Sequence, residues 1–191
     1  MSFAFTPPMK KRLTPRVCNM LTGSLRHFPE LKGRTITVGY TRAHLGSAML
    51  CYRSGQEPRL IIRLKVRKLT YQTLGHELTH LLQGLARGDR PASATIAWDK
   101  IPAGEKQCDI WTLARHELFC DDAPTYLRLP RAMRERWGDY AADVRKLCIA
   151  AIHKRKTHRF YIRWLEAEIP KLVRLPRPEK TVAPKQLLLP F

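Results

Sequence analysis

The apolar positions change period several times along the chain. RTITVGY (34–40) places β-branched residues in alternation, which is the two-residue period of a half-buried strand. RLIIRLK (59–65) predicts a second strand, and its arginines and lysine predict an edge position, where charge discourages unwanted pairing. Between them, 41–57 is punctuated by Gly46 and Gly55 and predicts a further strand and turn. From Thr70 to Ala86 the period becomes helical. Leu74, Leu78, Leu81, Leu82 and Leu85 form one stripe, with Thr70 placed to cap its start. EKQCDIWTLARHELF (105–119) predicts another helix, turning Ile110, Leu113 and Ala114 inward.

The remaining segments are read from punctuation. A short helix is expected over 17–31, ended near Pro29 and Gly33, and Gly88, Pro91 and Ser93 mark a loop. After Pro124 come helices over 131–137 and 139–169. The Pro- and Lys-rich residues 1–16 predict a flexible basic arm, and Pro176, Pro178 and Pro184 an extended tail from 170 onward. No internal repeat is present. Strands followed by helices argue for an α+β fold.

Composition narrows this picture. With 191 residues, 44% of them hydrophobic, the chain can bury one core with appendages. Its 5 cysteines (Cys18, Cys51, Cys108, Cys120, Cys148) are scattered and form no C-x-x-C pair. That argues against a disulfide framework and a cysteine zinc site, and for a reducing compartment. MSFAFTPPMKKRLTPR lacks the apolar run of a signal peptide, and no stretch is long enough to cross a membrane. A soluble cytoplasmic protein with no membrane partner is expected, with nucleoid association following from the charge. There are 35 Lys+Arg against 16 Asp+Glu, a net charge of +19, which draws the chain toward polyanions and above all nucleic acid.

The candidate chemistry lies in GHELTHLLQG (75–84). His76 and His80 stand four apart, on one face of the predicted helix, where two imidazoles can reach one ion. Glu77 is rotated off that line, in the place of a general base. This is the mechanical sense of H-E-x-x-H: two Zn2+ ligands and a catalytic carboxylate. A third ligand must come from elsewhere. Gln83 and Ala86 stand where a metzincin needs Gly and His, which excludes that branch. Downstream, GEKQCDIW offers Glu105 and Asp109, again four apart; Glu105 can bind zinc while Asp109 orients a histidine from behind. Asp109 itself and His116 are the competing third ligands. HELFC (116–120) opens like a second motif but ends in Cys120, and reads as a helix end.

H-E-x-x-H followed by a helix carrying E-x-x-x-D resembles the gluzincins, the thermolysin-like clan, over residues 34–120. The resemblance implies a small zincin-like domain over 17–127, its short twisted sheet packed on the histidine helix, with a peptide substrate held along the strand bordering the cleft. No histidine motif for stabilising the tetrahedral intermediate follows; Tyr126 or His116 are the candidates for that role.

Beyond this domain, 128–169 reads as a basic helical extension. In HKRKTHRFYIRW (153–164), Lys154, Arg155, Lys156, Arg159 and Arg163 can neutralise phosphates, while Phe160, Tyr161 and Trp164 are expected in the core. The terminal QLLLPF resembles the short peptides by which bacterial replication and repair proteins bind the sliding clamp. That likeness gives Gln186 the polar anchor role and puts Leu187, Leu189 and Phe191 in an apolar pocket. The expected function is a zinc-dependent endopeptidase acting on or near DNA, on DNA-bound proteins, similar in logic to SprT/Spartan proteases. Their third ligand is a histidine, so Glu105 marks a departure. IrrE-like regulatory peptidases that cut a repressor share the carboxylate pattern. A non-catalytic zinc-containing DNA- or clamp-binding adaptor is the alternative from another class, against which Glu77 argues.

Overall fold

The computed structural model describes residues 2–54, 56–87 and 100–174. The fold is α+β, in the order β1 (Ser2–Phe5), α1 (Pro7–Lys10), α2 (Pro15–Leu25), β2 (Thr35–Tyr40), β3 (Gly46–Arg53), β4 (Gln56–Leu64), α3 (Tyr71–Arg87), α4 (Glu105–Arg115), α5 (Arg131–Glu135), α6 (Trp137–Lys154), α7 (Tyr161–Glu168) and α8 (Lys171–Arg174). The loop expected around Gly88, Pro91 and Ser93 lies outside the described residues, as do Gln186, Leu187, Leu189 and Phe191 of the tail. Among the described residues, no helix is long and apolar enough to cross a membrane.

One 4-stranded sheet runs β1-β2-β4-β3. β1, β2 and β4 are parallel, and β3 pairs antiparallel with β4. Two expectations need correction. RLIIRLK does not form an edge: β4 is paired on both sides, and β3 is the border strand. Leu60, Ile62 and Leu64 point into the core, while Arg59 and Arg63 fall on the opposite, exposed face. The charges therefore record a sheet covered on one side, not an unpaired edge.

Nor do residues 2–16 form the flexible arm expected over 1–16. Ser2–Phe5 pair in register with Thr35–Val38, and Met9 is fully buried. Pro7 and Pro8 occupy the first turn of α1, where a missing N–H breaks no helical bond. Pro15 opens α2 in the same way, and the Thr14 hydroxyl accepts from Val17 N–H.

The sheet's inner face (Ile36, Val38, Leu60, Ile62) packs with Val17, Leu21 and Leu25 of α2 and Leu74, Leu78 and Leu81 of α3. A second cluster joins Ile110 and Leu113 of α4 to Tyr140, Val144 and Cys148 of α6 and to Tyr161 and Leu165 of α7. The helix expected over 139–169 is thus two helices. The run from His153 to Arg159 has only basic and polar residues once Ile152 is passed, with nothing to bury. The chain turns there and lays Tyr161, Leu165 and Ile169 back on α6.

If β1 and α1 belong to the fold, Met9→Ala should lower the unfolding free energy by about 2–5 kcal/mol in urea titration. Lys10→Ala, at the neighbouring exposed position, should change it by less than about 0.5 kcal/mol. Equal, negligible effects would return the segment to a loose arm.

Candidate metal centre

The centre is built on α3. Its first free N–H groups are capped from two directions. The Asp121 carboxylate accepts from Tyr71 N–H at 2.7 Å and Gln72 N–H at 2.8 Å, and the Thr70 hydroxyl accepts from Thr73 N–H at 3.1 Å. Small residues then let α4 approach. A Cβ on Gly75 would lie 2.6 Å from Thr112 Cγ2 and 2.7 Å from the Phe119 ring. Beside it, the Thr79 and Thr112 hydroxyls meet at 2.9 Å.

This close packing brings three atoms together. His76 Nε2 and His80 Nε2 lie 3.1 Å apart, and Glu105 Oε2 lies 3.0 Å from the first and 3.1 Å from the second. The tautomers follow from the outer ring nitrogens. His76 Nδ1 is 2.9 Å from Asp109 Oδ1, a carboxylate oxygen that can only accept, so Nδ1 donates. Gln83 Nε2 donates to the carbonyls of Pro102 (2.5 Å) and Gly104 (3.1 Å). This leaves Gln83 Oε1 to accept from His80 Nδ1 at 2.9 Å. Both Nε2 atoms then turn lone pairs toward a carboxylate oxygen. Three electron pairs converge, and only a proton or a cation can sit among them.

The donor set fits zinc. Ligands about 2.0–2.2 Å from a tetrahedral ion stand roughly 3.3–3.6 Å from one another, a few tenths of an ångström wider than the triangle seen here. Hydrogen-bonded partners behind both imidazoles are the usual outer support of such a site. Burial alone would lower the His76 pKa, but the hydrogen bond and charge of Asp109 turn the shift upward, making this imidazole a strong base. His76, His80 and Cys108 also form a group able to hold an ion. Cys108 Sγ, however, approaches His80 at Nδ1 (3.2 Å), away from the converging atoms, and burial pushes its thiol far above the ordinary range. Glu105 is therefore the better third donor.

Asp109 is not a competing ligand. It is fully buried, and Oδ2 accepts from the N–H groups of Tyr126 (2.6 Å) and Leu127 (2.9 Å). His116 is not at the centre either. Its ring stacks on His27 with centroids 3.8 Å apart, and its Nδ1 accepts from Leu118 N–H, capping the 3-10 turn Glu117–Cys120. Tyr126 does reach the site, stacked on the His76 imidazole at 5.5 Å.

A cleft of about 510 Å³ opens over these groups, lined by His44 and Leu45, by the start of β3 (Gly46–Ala48), by α3 and by Thr125 and Tyr126. Glu77 lines it and is only 6% exposed, with Oε2 buried and without a hydrogen-bond partner. Burial pushes its carboxyl up to about 7, with Glu105 adding to the rise and His76 opposing it. Gly46 makes room: any Cβ there would collide with the Glu77 carboxylate.

In the basic extension, Tyr161 is buried as expected, and Trp164 is half-buried with Lys154 Nζ 5.0 Å above its ring. Phe160 departs from expectation. It is 52% exposed, with the guanidinium groups of Arg159 and Arg163 at 5.8 and 5.1 Å from its ring. Arg155 donates to Lys100 O at 2.9 Å, and Lys156 is exposed.

Sequence reading missed Gln72, Gln83, Gly46 and Asp121. Gln83 carried a local signal, three residues after His80 on the same helix. Gly46 and Asp121 come from distant segments and carried none. No protein-family model, curated protein or solved structure matches this chain.

Two substitutions separate the donor sets. Glu105→Ala should weaken zinc binding at least tenfold in chelator competition, and Cys108→Ala should leave it within about threefold. Asp109→Asn should cost about 10–100-fold in zinc affinity, because the negative charge behind His76 is removed.

Proposed function

We propose that this protein is a zinc-dependent endopeptidase working on or near nucleic acid. The observation that carries the reading is the convergence of His76 Nε2, His80 Nε2 and Glu105 Oε2 beneath an open cleft that is also lined by Glu77, whose Oε2 has no hydrogen-bond partner. A purely structural site has no need of that carboxylate. Zinc, when bound, supplies a Lewis acid that polarises a carbonyl and makes water acidic enough to be deprotonated near neutral pH.

Everything else falls to the chain's own groups. Glu77, whose carboxylate lines the cleft, takes a proton from the attacking water and passes it to the leaving amine. Asp109 fixes the His76 ring, and Gln83 fixes the His80 ring. The Tyr126 phenol stands at the cleft, free to donate to the oxyanion that develops on the scissile carbonyl. β3 borders the cleft with one side unpaired, so an extended polypeptide can add to it as a further strand.

The nucleic-acid half of the proposal rests on the net charge of +19 and on the turn between α6 and α7. There the exposed Phe160 ring is flanked by Arg159 and Arg163, with Lys154, Arg155 and Lys156 preceding it. An aromatic face among cations suits an unpaired base and its phosphates.

The test is cleavage of a basic DNA-binding protein by the zinc-loaded enzyme, with and without single-stranded DNA. Glu77→Gln should lower kcat/KM by about 10²–10⁴-fold with zinc stoichiometry unchanged. Gly46→Ala should keep zinc but lose most activity, since the new methyl displaces Glu77. An active Glu77→Gln variant would remove Glu77 from the role of base, and a zinc-loaded wild type inert in every condition would leave a metal-holding binding protein instead.

A further inference from the structure

At one end of the sheet the three parallel strands stop together, and each is followed by cations. Arg12 comes after β1 and α1, Arg42 follows β2, and Lys65 and Arg67 follow β4. These side chains, with Tyr40 and Val66, line a cleft of about 500 Å³. No acidic residue lines it. Among the described residues, no ion pair to a carboxylate engages any of the four cations.

The cluster is organised. The Arg12 guanidinium lies 3.9 Å over the Tyr40 ring and is anchored by a 2.7 Å hydrogen bond to Pro8 O. Hydrogen bonds from Arg42 and Arg12 hold the Tyr40 phenol below its ordinary range. Four like charges gathered in one concavity repel one another, and an anion relieves that repulsion. Ligands of open sheets with parallel strands bind outside the carboxyl ends of those strands, which is where this cleft lies.

Its position relative to the metal centre is defined by one loop. Residues 41–45 are pinned to the end of β4 by Thr41 N–H to Leu64 O (3.1 Å) and Lys65 N–H to Leu45 O (2.9 Å). Arg42 of this loop lines the basic cleft, and His44 and Leu45 line the metal cleft. One five-residue loop thus contributes lining residues to both concavities.

We infer that the Arg12–Arg42–Lys65–Arg67 cleft holds the phosphodiester backbone of a nucleic-acid strand and keeps it beside the peptide-binding cleft. A strand suits it better than a lone phosphate. The cations come from three separate segments, and Arg42 and Arg67 are exposed, so the site follows a chain of charges instead of enclosing one. The inference deepens the nucleic-acid half of the proposed function and does not depend on the metal.

The experiment is fluorescence anisotropy of the full chain with labelled single-stranded and duplex oligonucleotides over a salt series. Thermal melts of each variant check folding. Arg42→Ala/Arg67→Ala should raise Kd about tenfold or more and flatten the slope of log K against log salt by about 1.4–1.8. Arg53→Ala/Arg59→Ala removes the same charge from the opposite end of the sheet and should change Kd less than about threefold. His80→Ala should bind nucleic acid like the wild type, so a failed peptidase reading shows separately. Equal losses from the two arginine pairs would overturn the inference. So would a collapse of binding in Lys156→Ala/Arg159→Ala alone, which leaves the proposed function standing. Displacement of the strand by polyglutamate or inorganic phosphate as readily as by unlabelled oligonucleotide, at matched ionic strength, would overturn the choice of occupant.

Discussion

The Asp109 carboxylate is the point on which the arrangement turns. It is fully buried, and both oxygens are engaged: Oδ1 with His76 Nδ1 and Gln72 Nε2, Oδ2 with the N–H groups of Tyr126 and Leu127. A buried carboxylate is tolerated only when its lone pairs are satisfied, and breaking such a group costs several kcal/mol. One side chain of α4 thereby locks a ring on α3 and the backbone of the segment that carries Tyr126. The His76 ring, the phenol over the cleft and the seam between helices therefore share one constraint. A change at Asp109 cannot be local to the metal.

The same helix joins the two hydrophobic clusters. Ile110 and Leu113 of α4 pack toward α6 and α7, while Thr112 meets Thr79 and lies against Gly75 of α3. The basic extension is consequently no loose appendage. Lys106 of α4 also pairs with Glu166 of α7 at 2.6 Å, and Tyr161 of α7 hydrogen-bonds Gln107. Whatever the α6–α7 turn binds is held by the helix that presents Glu105.

How much of this was legible in the chain depends on whether the deciding contact is local. α3 was legible because its apolar stripe, its cap at Thr70 and the His76–His80 spacing all lie within one helix. Glu105 and Asp109 were legible as a pair at helical spacing, but their division into ligand and support depended on how α4 approaches α3. That approach is set by Gly75, Thr79 and Thr112, whose small size carries no signal without the partner surface. β4 was misplaced because charged residues alternating with apolar ones look alike on an edge strand and on the open face of an interior strand. The amino-terminal strand was hidden by the prolines that follow it, which mark a helix start as readily as a loose arm. The break after α6 has no proline or glycine at all. It exists because Tyr161, Leu165 and Ile169 gain more by folding back than the helix gains by continuing into solvent.

The parallel arrangement of β1, β2 and β4 has one further consequence. Parallel strands end at the same side of a sheet, so the segments that follow them are gathered there regardless of their distance in sequence. β3 runs opposite and therefore begins at that side, delivering Gly46 and the border of the metal cleft to the place where Arg12, Arg42, Lys65 and Arg67 converge. No period or motif in the sequence announces this meeting, since the four cations lie in three separate segments. It is a product of topology. The sheet order brings a concavity of positive charge and the cleft over His76, His80 and Glu105 to one loop, residues 41–45. A substrate that is itself bound to nucleic acid is the kind of molecule that such a pair of surfaces can hold at once.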